Sequence, residues 1–295
     1  MTHVGIITIN WNGIEDTRQC LDSLRDIDDP HLTTYVVDNG SANDEAARLK
    51  GEYPWCRVLP QPTNLGFTGG CNVGIEAALA DQVDYLVLLN NDAVVEPDFL
   101  GPLLDFHRRT PDAGAIGPLM MYSGRDEVWS AGGTISALTG FTMVEGKGRT
   151  RASYDGAAPF ETDFVAGCCL MVAADLVRQV GDLDDRYFAY YEDLDWCFRM
   201  RRLGHRSYTV PSSVIHHRKS ASTGEAGTDK LSPVAAYYMA RNACYFGRVN
   251  LPVRRRVPFL LAQFAVRAPY NLILRSQPGA RRHYLRGLAA GIRYR

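Results

Sequence analysis

Three short apolar runs in the first hundred residues each end in side chains able to hydrogen-bond or coordinate. Asn10 follows residues 4–9, Asp38-Asn39 follows 34–37, and Asn90-Asn91-Asp92 follows 85–89. Clustered Asp and Asn at such places can bind ribose hydroxyls, base edges and a hard cation. The same residues end strands as turn formers, so one cluster decides little, whereas three on successive strands point to a site. Further along, Tyr187-Phe188-Ala189-Tyr190-Tyr191 runs into Glu192-Asp193-Leu194-Asp195-Trp196. Aromatic walls desolvate a carboxylate and raise its proton affinity, which suits a general base. Glu192 and Asp193 also suit the first turn of a helix, where the dipole favours negative charge, and the segment alone leaves both readings open. His216-His217 closes another strand-like run. A lone histidine is usually structural, but one at a strand end near Asp clusters could complete a metal site. Arg218 and Lys219 follow it with charge suited to phosphates.

These groups need a scaffold. Residues 4–9, 34–37, 56–59 and 85–89 read as strands, and 17–24, 45–49 and 97–109 as helices. Strands apolar on both faces, alternating with helices, imply a parallel sheet covered on both sides. Ligands of such sheets bind beyond the carboxyl ends of the strands. The glycine-rich stretch 64–74 reads as a loop opening a helix at about 72–79 and offers a weak phosphate cradle. It matches neither GxGxxG nor GxxxxGK[ST]. Residues 110–165 read as loops and β-ribbon shaping an acceptor cleft. Residues 163–172 read as a buried strand with Gly167 inside it, and a helix is expected from about Glu192. A loop is expected at 218–224.

The chain has 295 residues, 46% hydrophobic and 22% charged. That composition excludes a disordered chain, a collagen-like repeat and a small disulfide scaffold. Seven cysteines without a CxxC pair read as buried residues in a reducing cytoplasm. No basic leader precedes the first strand, so no signal peptide is expected. The longest apolar stretch, 257–274, is interrupted by Gln263, Arg267 and Asn271 and by two prolines, which argues against a conventional transmembrane helix. The net charge of −1 hides a division: 1–230 carries −13, and 231–295 carries 12 arginines with no acidic residue. Arginines interleaved with apolar residues over 251–295 suit an interfacial helix on an anionic membrane surface. The other reading is a helical pair packed on the catalytic part or on a second subunit, as in a homodimer. The charge also fits nucleic acid, but no nucleic-acid module is recognisable and no such partner is expected.

Taken together, these segments resemble the large inverting glycosyltransferase family usually numbered two, which has the GT-A fold. The matching residues are Thr8-Ile9-Asn10-Trp11-Asn12, Val37-Asp38-Asn39-Gly40-Ser41, Asn64-Leu65-Gly66-Phe67 with Gly70 and Asn72, and Leu89-Asn90-Asn91-Asp92. They continue through Gly167, Gly181 with Asp184, Phe188-x-Tyr190-x-Glu192-Asp193-x-Asp195-Trp196 with Arg199, His217 with Ser222, and Tyr238 with Arg241-Asn242. The likeness spans roughly residues 3–247 and within the family looks most like rhamnosyltransferase-type members of bacterial cell-surface polysaccharide assembly.

The resemblance implies an α/β GT-A catalytic domain over 1–230 and a basic, amphipathic C-terminal helical region over 231–295. It implies a donor site at Thr8, Asn10, Asp38, Asn39, Asn64, Gly70, Asn72, Asn90, Asn91 and Asp92, with Asp38 on the nucleoside and Thr8 and Asn10 lining the base pocket. Asn90 stands where the family's Asp-x-Asp motif has its first carboxylate, so Asp92 and His217 become the ligands for Mg²⁺ or Mn²⁺, with His216 the alternative to His217. Asp193 matches the catalytic base. Gly167, Glu192, Asp195, Trp196, Arg199 and Ser222 fall in acceptor or supporting positions. The implied reaction moves a hexose or deoxyhexose, rhamnose favoured, from a dTDP- or UDP-linked donor to a saccharide acceptor carried on a lipid, at the inner face of the cell membrane. The competing readings are a sugar nucleotidyltransferase and a catalytically degenerate sugar-nucleotide-binding protein. A nucleotidyltransferase wants a basic glycine-rich loop after the first strand, which Asn10-Trp11-Asn12-Gly13 does not supply.

Overall fold

Strand β1 (Val4–Asn10) is rich in Val, Ile and Thr, which suit a pleated surface, and it is buried on both faces. The computed structural model describes residues 2–27, 31–136, 138–218, 230–275, 277 and 279–293. In it β1 pairs in parallel with β2 (Leu32–Asp38) on one side and β4 (Tyr85–Leu89) on the other, and β3 (Arg57–Pro60) extends the sheet beyond β2. Past β4 comes β11 (Cys169–Ala173), antiparallel both to β4 and to β6 (Ala113–Tyr122). Strand β12 (Arg206–His217) pairs in parallel with β6, and β10 (Phe160–Thr162) closes that edge antiparallel. The order is β10-β12-β6-β11-β4-β1-β2-β3, with only β10 and β11 pointing against the rest, as the expected mostly parallel α/β sheet requires. Short strands β5 (Ala93–Val95) and β7 (Val128–Ser130) join β12 and β6, while β8 (Gly133–Ile135) and β9 (Thr142–Val144) form a separate ribbon. The connecting helices are α1 (Ile14–Arg25), α2 (Glu45–Glu52), α3 (Gly66–Ala80), α4 (Leu100–Arg109), α5 (Ala174–Val180) and α6 (Glu192–Arg202).

Several boundaries differ from the sequence reading, each for a packing reason. The loop expected over 64–74 is mostly helix, because α3 begins at Gly66. Gly70 and Gly74 face the sheet: a Cβ on Gly74 would lie 2.2 Å from Ile7 Cγ2, so only glycine lets α3 sit this close to β1. The irregular stretch expected over 110–165 contains β6, ten residues long and almost wholly buried. Pro118 is tolerated there because the β6–β12 register shifts just beyond its partner Val210. The strand expected over 163–172 divides into a lone bridge at Phe164, a turn at 167–168 and β11, so Gly167 lies in the turn before the strand.

The C-terminal part is helical, as expected: α7 (Pro233–Asn250), α8 (Val253–Arg275) and α9 (Ala280–Arg293). Ser232 caps α7 by accepting the Ala235 N–H at 3.2 Å, and proline occupies the first turn, where its missing N–H costs nothing. Ala243, Tyr245 and Phe246 of α7 belong to the same apolar core as β1, β2 and β4. Helix α9 lies against α7 so closely that a Cβ on Gly287 would come within 2.2 Å of the Tyr237 carbonyl oxygen. Helix α8 alternates α turns with wider π turns at 263–267 and 271–275. That alternation keeps Phe259, Gln263, Arg267 and Asn271, spaced every fourth residue and all buried, on one side of a helix whose ordinary repeat is 3.6. All seven cysteines are buried and free, as read from the sequence.

Candidate active site

Register brings the strand-end clusters together. Asn10 of β1 pairs with Asp38 of β2, and Ile7 of β1 pairs with Leu88 of β4, so Asn10, Asp38 and the 90–92 turn share one edge of the sheet. Asp38 is buried, its Oδ1 accepting from Asn10 Nδ2 at 2.8 Å and its Oδ2 from the Ser41 N–H at 3.3 Å. Asn10 is itself enclosed: Nδ2 also reaches Glu45 Oε2 at 2.8 Å, and Oδ1 accepts from the Thr17 hydroxyl at 2.7 Å. Thr8 is fully buried in the same strand. Asn10 therefore orients Asp38, and Asp38 is the member of the pair with hydrogen-bonding capacity left.

The other asparagines hold the walls. Asn39 donates to Asn64 Oδ1 at 3.2 Å and to the Gly66 carbonyl at 2.9 Å, and accepts from the Leu65 N–H at 2.9 Å. Asn64 accepts from the Gly66 N–H at 2.7 Å, and the Thr68 N–H donates to the Phe188 carbonyl at 3.1 Å. The Leu65, Gly66 and Thr68 amides are thus committed within the protein, which weakens the case for a phosphate cradle there. Gly70 keeps α3 close to Asn39 and Ile9, where an added Cβ would come within 3.2 Å of Asn39 Nδ2. Asn72 clamps the segment before α6, donating to the Leu183 carbonyl at 2.8 Å and to Asp185 Oδ1 at 2.7 Å. Asn91 donates to Thr17 Oγ1 at 2.9 Å and so faces α1.

Asp92 meets the end of β12. Strand pairing places His217 beside Ala93, and His217 Nε2 lies 3.1 Å from Asp92 Oδ1, with both side chains buried. The His217 ring packs at a tilt against Trp129, centroids 4.5 Å apart, a residue the sequence reading missed because nothing in 110–165 marks it out. His216 points elsewhere, to Glu96 Oε1 at 3.0 Å, so the geometry favours His217 of the two. His217 Nδ1 and Asn90 Oδ1 are buried without a hydrogen-bond partner among the described residues. Carboxylate, imidazole nitrogen and amide oxygen are each donor types that Mg²⁺ or Mn²⁺ accepts. No group of three or more His, Cys, Asp or Glu that could hold a metal gathers among the described residues. Ser222 lies outside the described residues.

The turn before β11 links this edge to α6. The Asn90 N–H donates to the Cys168 carbonyl at 2.8 Å, and one residue earlier the Gly167 N–H donates to Asp193 Oδ2 at 3.0 Å. Asp193 Oδ1 accepts from the Leu194 N–H at 2.7 Å. Burial raises the Asp193 carboxyl above its ordinary 3.8, and these two donors pull it back. Glu192 beside it is pushed well above its ordinary 4.5, first by burial and then by the Asp193 charge, and its Oε2 has no partner among the described residues. Burial thus favours the protonated form of Glu192 more strongly than that of Asp193, which keeps two backbone donors.

This assignment has a thermodynamic consequence. Folded Glu192 holds its proton to a higher pH than unfolded Glu192, so folding stability falls as pH rises past about 4.5. Glu192→Gln, a neutral isostere, is expected to be more stable than the parent at pH 7. The Tm rise is roughly 2–4 °C per kcal/mol relieved. Thermal melts of both proteins at pH 4.5 and 7 check it, and a gap that does not widen with pH would mean Glu192 is ionised.

Behind the carboxylates lies a strained segment. Phe188, Tyr190 and Tyr191 all have left-handed backbones, with φ of 63°, 70° and 77°. Each such residue costs about 1–3 kcal/mol and persists only where its surroundings force it. Here α7 does so: Asn242 Nδ2 donates to the Tyr187, Ala189 and Tyr190 carbonyls at 2.7–2.9 Å, and Arg241 to the Arg186 and Tyr187 carbonyls at 2.6 and 2.7 Å. Asp195 accepts from Arg199 Nε at 2.8 Å, from the Tyr187 hydroxyl at 3.1 Å and from Asn250 Nδ2 at 2.5 Å. Trp196 Nε1 donates to the Gly181 carbonyl at 2.8 Å, and Arg199 to the Val180 and Asp182 carbonyls at 2.9 and 2.6 Å. These three side chains fasten α6 to its neighbours. The sequence reading did not find Asn250, an isolated polar residue at a helix end.

The chain is 29% identical over 251 residues to an N-acetylglucosaminyl-diphospho-decaprenol L-rhamnosyltransferase of Mycobacterium tuberculosis (strain ATCC 25618 / H37Rv), covering 79% of this chain and 80% of that protein. It is 22% identical to the dTDP-rhamnosyl transferase RfbF of Shigella flexneri, covering 68% of this chain and 64% of that one. The fold matches that of the mannosyltransferase PcManGT from Pyrobaculum calidifontis in complex with GDP-Man and Mn²⁺, with a TM-score of 0.57 at 16% identity over 99% of this chain and 76% of that chain. The expected GT-A architecture and glycosyltransferase activity are borne out, and the nucleotidyltransferase reading falls away. The model of glycosyl transferase family 2 matches residues 5–181, more than half the chain, and the chain belongs to that family.

Proposed function

We propose that this glycosyltransferase moves L-rhamnose, with inversion, from a dTDP- or UDP-linked donor to a saccharide on a lipid diphosphate during cell-surface polysaccharide synthesis. The observation that carries the reading is the Gly167 N–H bond to Asp193, which places a desolvated carboxylate against the same turn that pairs with Asn90. The rhamnosyl specificity is drawn from the two rhamnosyltransferase relatives.

In this mechanism Asp38, oriented by Asn10, binds the nucleoside. Asn39, Asn64, Gly70 and Asn72 shape the donor wall, and Asn91 braces the 90–92 turn. Asp92 and His217, with Asn90, would hold a divalent cation, Mg²⁺ or Mn²⁺, which neutralises charge on the departing nucleoside diphosphate. Asp193 accepts the proton of the acceptor hydroxyl as that oxygen attacks the anomeric carbon and the bond to the diphosphate breaks. A single displacement needs one carboxylate at the acceptor, and burial favours the neutral form of Glu192 beside it. Asp195, Trp196 and Arg199 act by holding α6. We set the end of the catalytic unit after Asn250, because α7 holds the strained segment before α6, and take 251–295 as the basic amphipathic region. This reading puts the protein in the cytoplasm at the inner face of the membrane.

Donor binding tests the site. Calorimetric titration with dTDP-rhamnose, UDP-sugars and GDP-sugars, with Mn²⁺ or with chelator, should single out one nucleotide, bound more tightly with the cation. Asp92→Ala and His217→Ala are each expected to weaken cation-dependent binding about 10–100-fold and to leave binding under chelator unchanged. Parent affinity in either variant would move the cation elsewhere.

A further inference from the structure

Helix α8 is amphipathic the wrong way round for a helix in water. Its mid-helix polar residues point inward: Gln263 donates to the Thr139 carbonyl at 2.8 Å, Arg267 to the Gly140 carbonyl at 2.9 Å and to the Tyr191 hydroxyl, and Asn271 to the Tyr284 hydroxyl at 3.0 Å. Apart from Phe259, most of its large apolar residues point outward: Val253, Val257, Leu261, Ile273 and Leu274 are 62–72% exposed, and Phe264, Val266 and Tyr270 are 40–48% exposed. Scattered exposed apolar residues need no explanation, but a row of them along one helix marks an interaction surface. The charge around it has one sign. Arg254 and Arg255 on α8 and Arg281, Arg282, Arg286 and Arg293 on α9 are exposed, and 231–295 contains no acidic residue. An apolar row bordered by arginines complements lipid phosphates above acyl chains.

We infer that α8 lies flat in the headgroup layer of an anionic phospholipid bilayer, with its apolar row inserted and the arginines of α8 and α9 on the phosphates. At 23 residues, with a mean hydropathy of 1.3 over its most apolar 18, the helix is long and apolar enough to cross a membrane by length and composition. Crossing would strip Gln263, Arg267 and Asn271 from their partners and carry a guanidinium into hydrocarbon. Lying flat keeps every one of those bonds. Arg267 bonds Tyr191, the residue directly before Glu192 and Asp193, so the lipid plane sits one helix away from the proposed base. A sugar on a lipid diphosphate would meet the base at that distance, and in assigning the acceptor's lipid to this face the inference rests on the function proposed above.

Flotation of the full chain with vesicles of phosphatidylglycerol and phosphatidylcholine in equal parts, against phosphatidylcholine alone, tests it. The parent is expected to float with the anionic vesicles and at least tenfold less with the neutral ones. Leu261→Asp/Ile273→Asp/Leu274→Asp should lose flotation, and Arg281→Glu/Arg282→Glu should lose the anionic preference. Both should keep parent turnover on a soluble saccharide acceptor, which establishes that they fold. A parent that stays with the pellet, or a triple variant that still floats, overturns the inference. So does a parent dimer in sedimentation equilibrium that the triple substitution turns into monomer, since a second copy would then cover this face. Flotation without transfer to any acceptor would leave the docking surface standing and remove the proposed function.

Discussion

Asp193→Asn is expected to lower turnover by about 10²–10⁴-fold while leaving donor affinity at the parent value. The substitution keeps shape and removes the basic oxygen. A sugar hydroxyl is a poor nucleophile, and on the proposed mechanism no other carboxylate takes its proton: burial favours the protonated form of Glu192, and Asp195 is held by Arg199, Tyr187 and Asn250. Asparagine keeps one acceptor oxygen for the Leu194 N–H but turns an NH₂ toward the Gly167 N–H, so a modest loss of stability accompanies the kinetic effect. The pH profile supplies a second readout. Because burial raises the Asp193 carboxyl, the acid limb of turnover in the parent should lie above that of a free aspartate, and activity should increase with pH as the base deprotonates. Glu192→Gln should leave that limb in place, because a group that stays neutral exerts no charge on its neighbour. Turnover of Asp193→Asn near that of the parent would sink the assignment, and an acid limb moved by Glu192→Gln would mean that the two carboxyls share their proton.

The parallel half of the sheet was legible because strands buried on both faces must be apolar throughout, as Val4-Gly5-Ile6-Ile7 and Leu86-Val87-Leu88-Leu89 are. The site was legible at the strand ends because a sheet edge that binds polar ligands must break that apolar pattern, and Asn10, Asp38 and Asn90-Asn91-Asp92 do so at matching registers. Glycine misled the reading twice. In α3 and β6 it serves close packing, against Ile7 and Val165, whereas local propensity marks it as loop. Division of labour among the asparagines was hidden as well. Sequence alone cannot distinguish an amide that faces a ligand from one, like Asn39 or Asn72, that clamps a neighbouring loop. In the tail, Gln263, Arg267 and Asn271 looked like interruptions of an apolar helix. Their four-residue spacing was the signal that one side of that helix faces protein, and reading it needed the π turns that keep the spacing in line.

Asp195→Ala is expected to destabilise the fold by about 2–4 kcal/mol, from two buried donors left without an acceptor and a partly exposed guanidinium left without its carboxylate. Asp195 is 2% exposed and joins three elements at once: Arg199 one turn further along α6, Tyr187 before the strained segment, and Asn250 at the end of α7. Removing it leaves the Arg199 guanidinium beside the backbone carbonyls of Val180 and Asp182 without its carboxylate. Asn250 Nδ2 and the Tyr187 hydroxyl lose an acceptor at the same time, in a place water does not reach. Urea unfolding should show a lower midpoint with an unchanged slope, as for a change in stability alone. Asp195→Asn keeps one acceptor and the packing, so its loss should be smaller. Well below the melting temperature, turnover per folded molecule should stay within about tenfold of the parent, because Asp195 acts through the position of α6 and touches no reacting atom. Full stability combined with a loss of turnover matching that of Asp193→Asn would exchange the two roles, making Asp195 the base and Asp193 the brace.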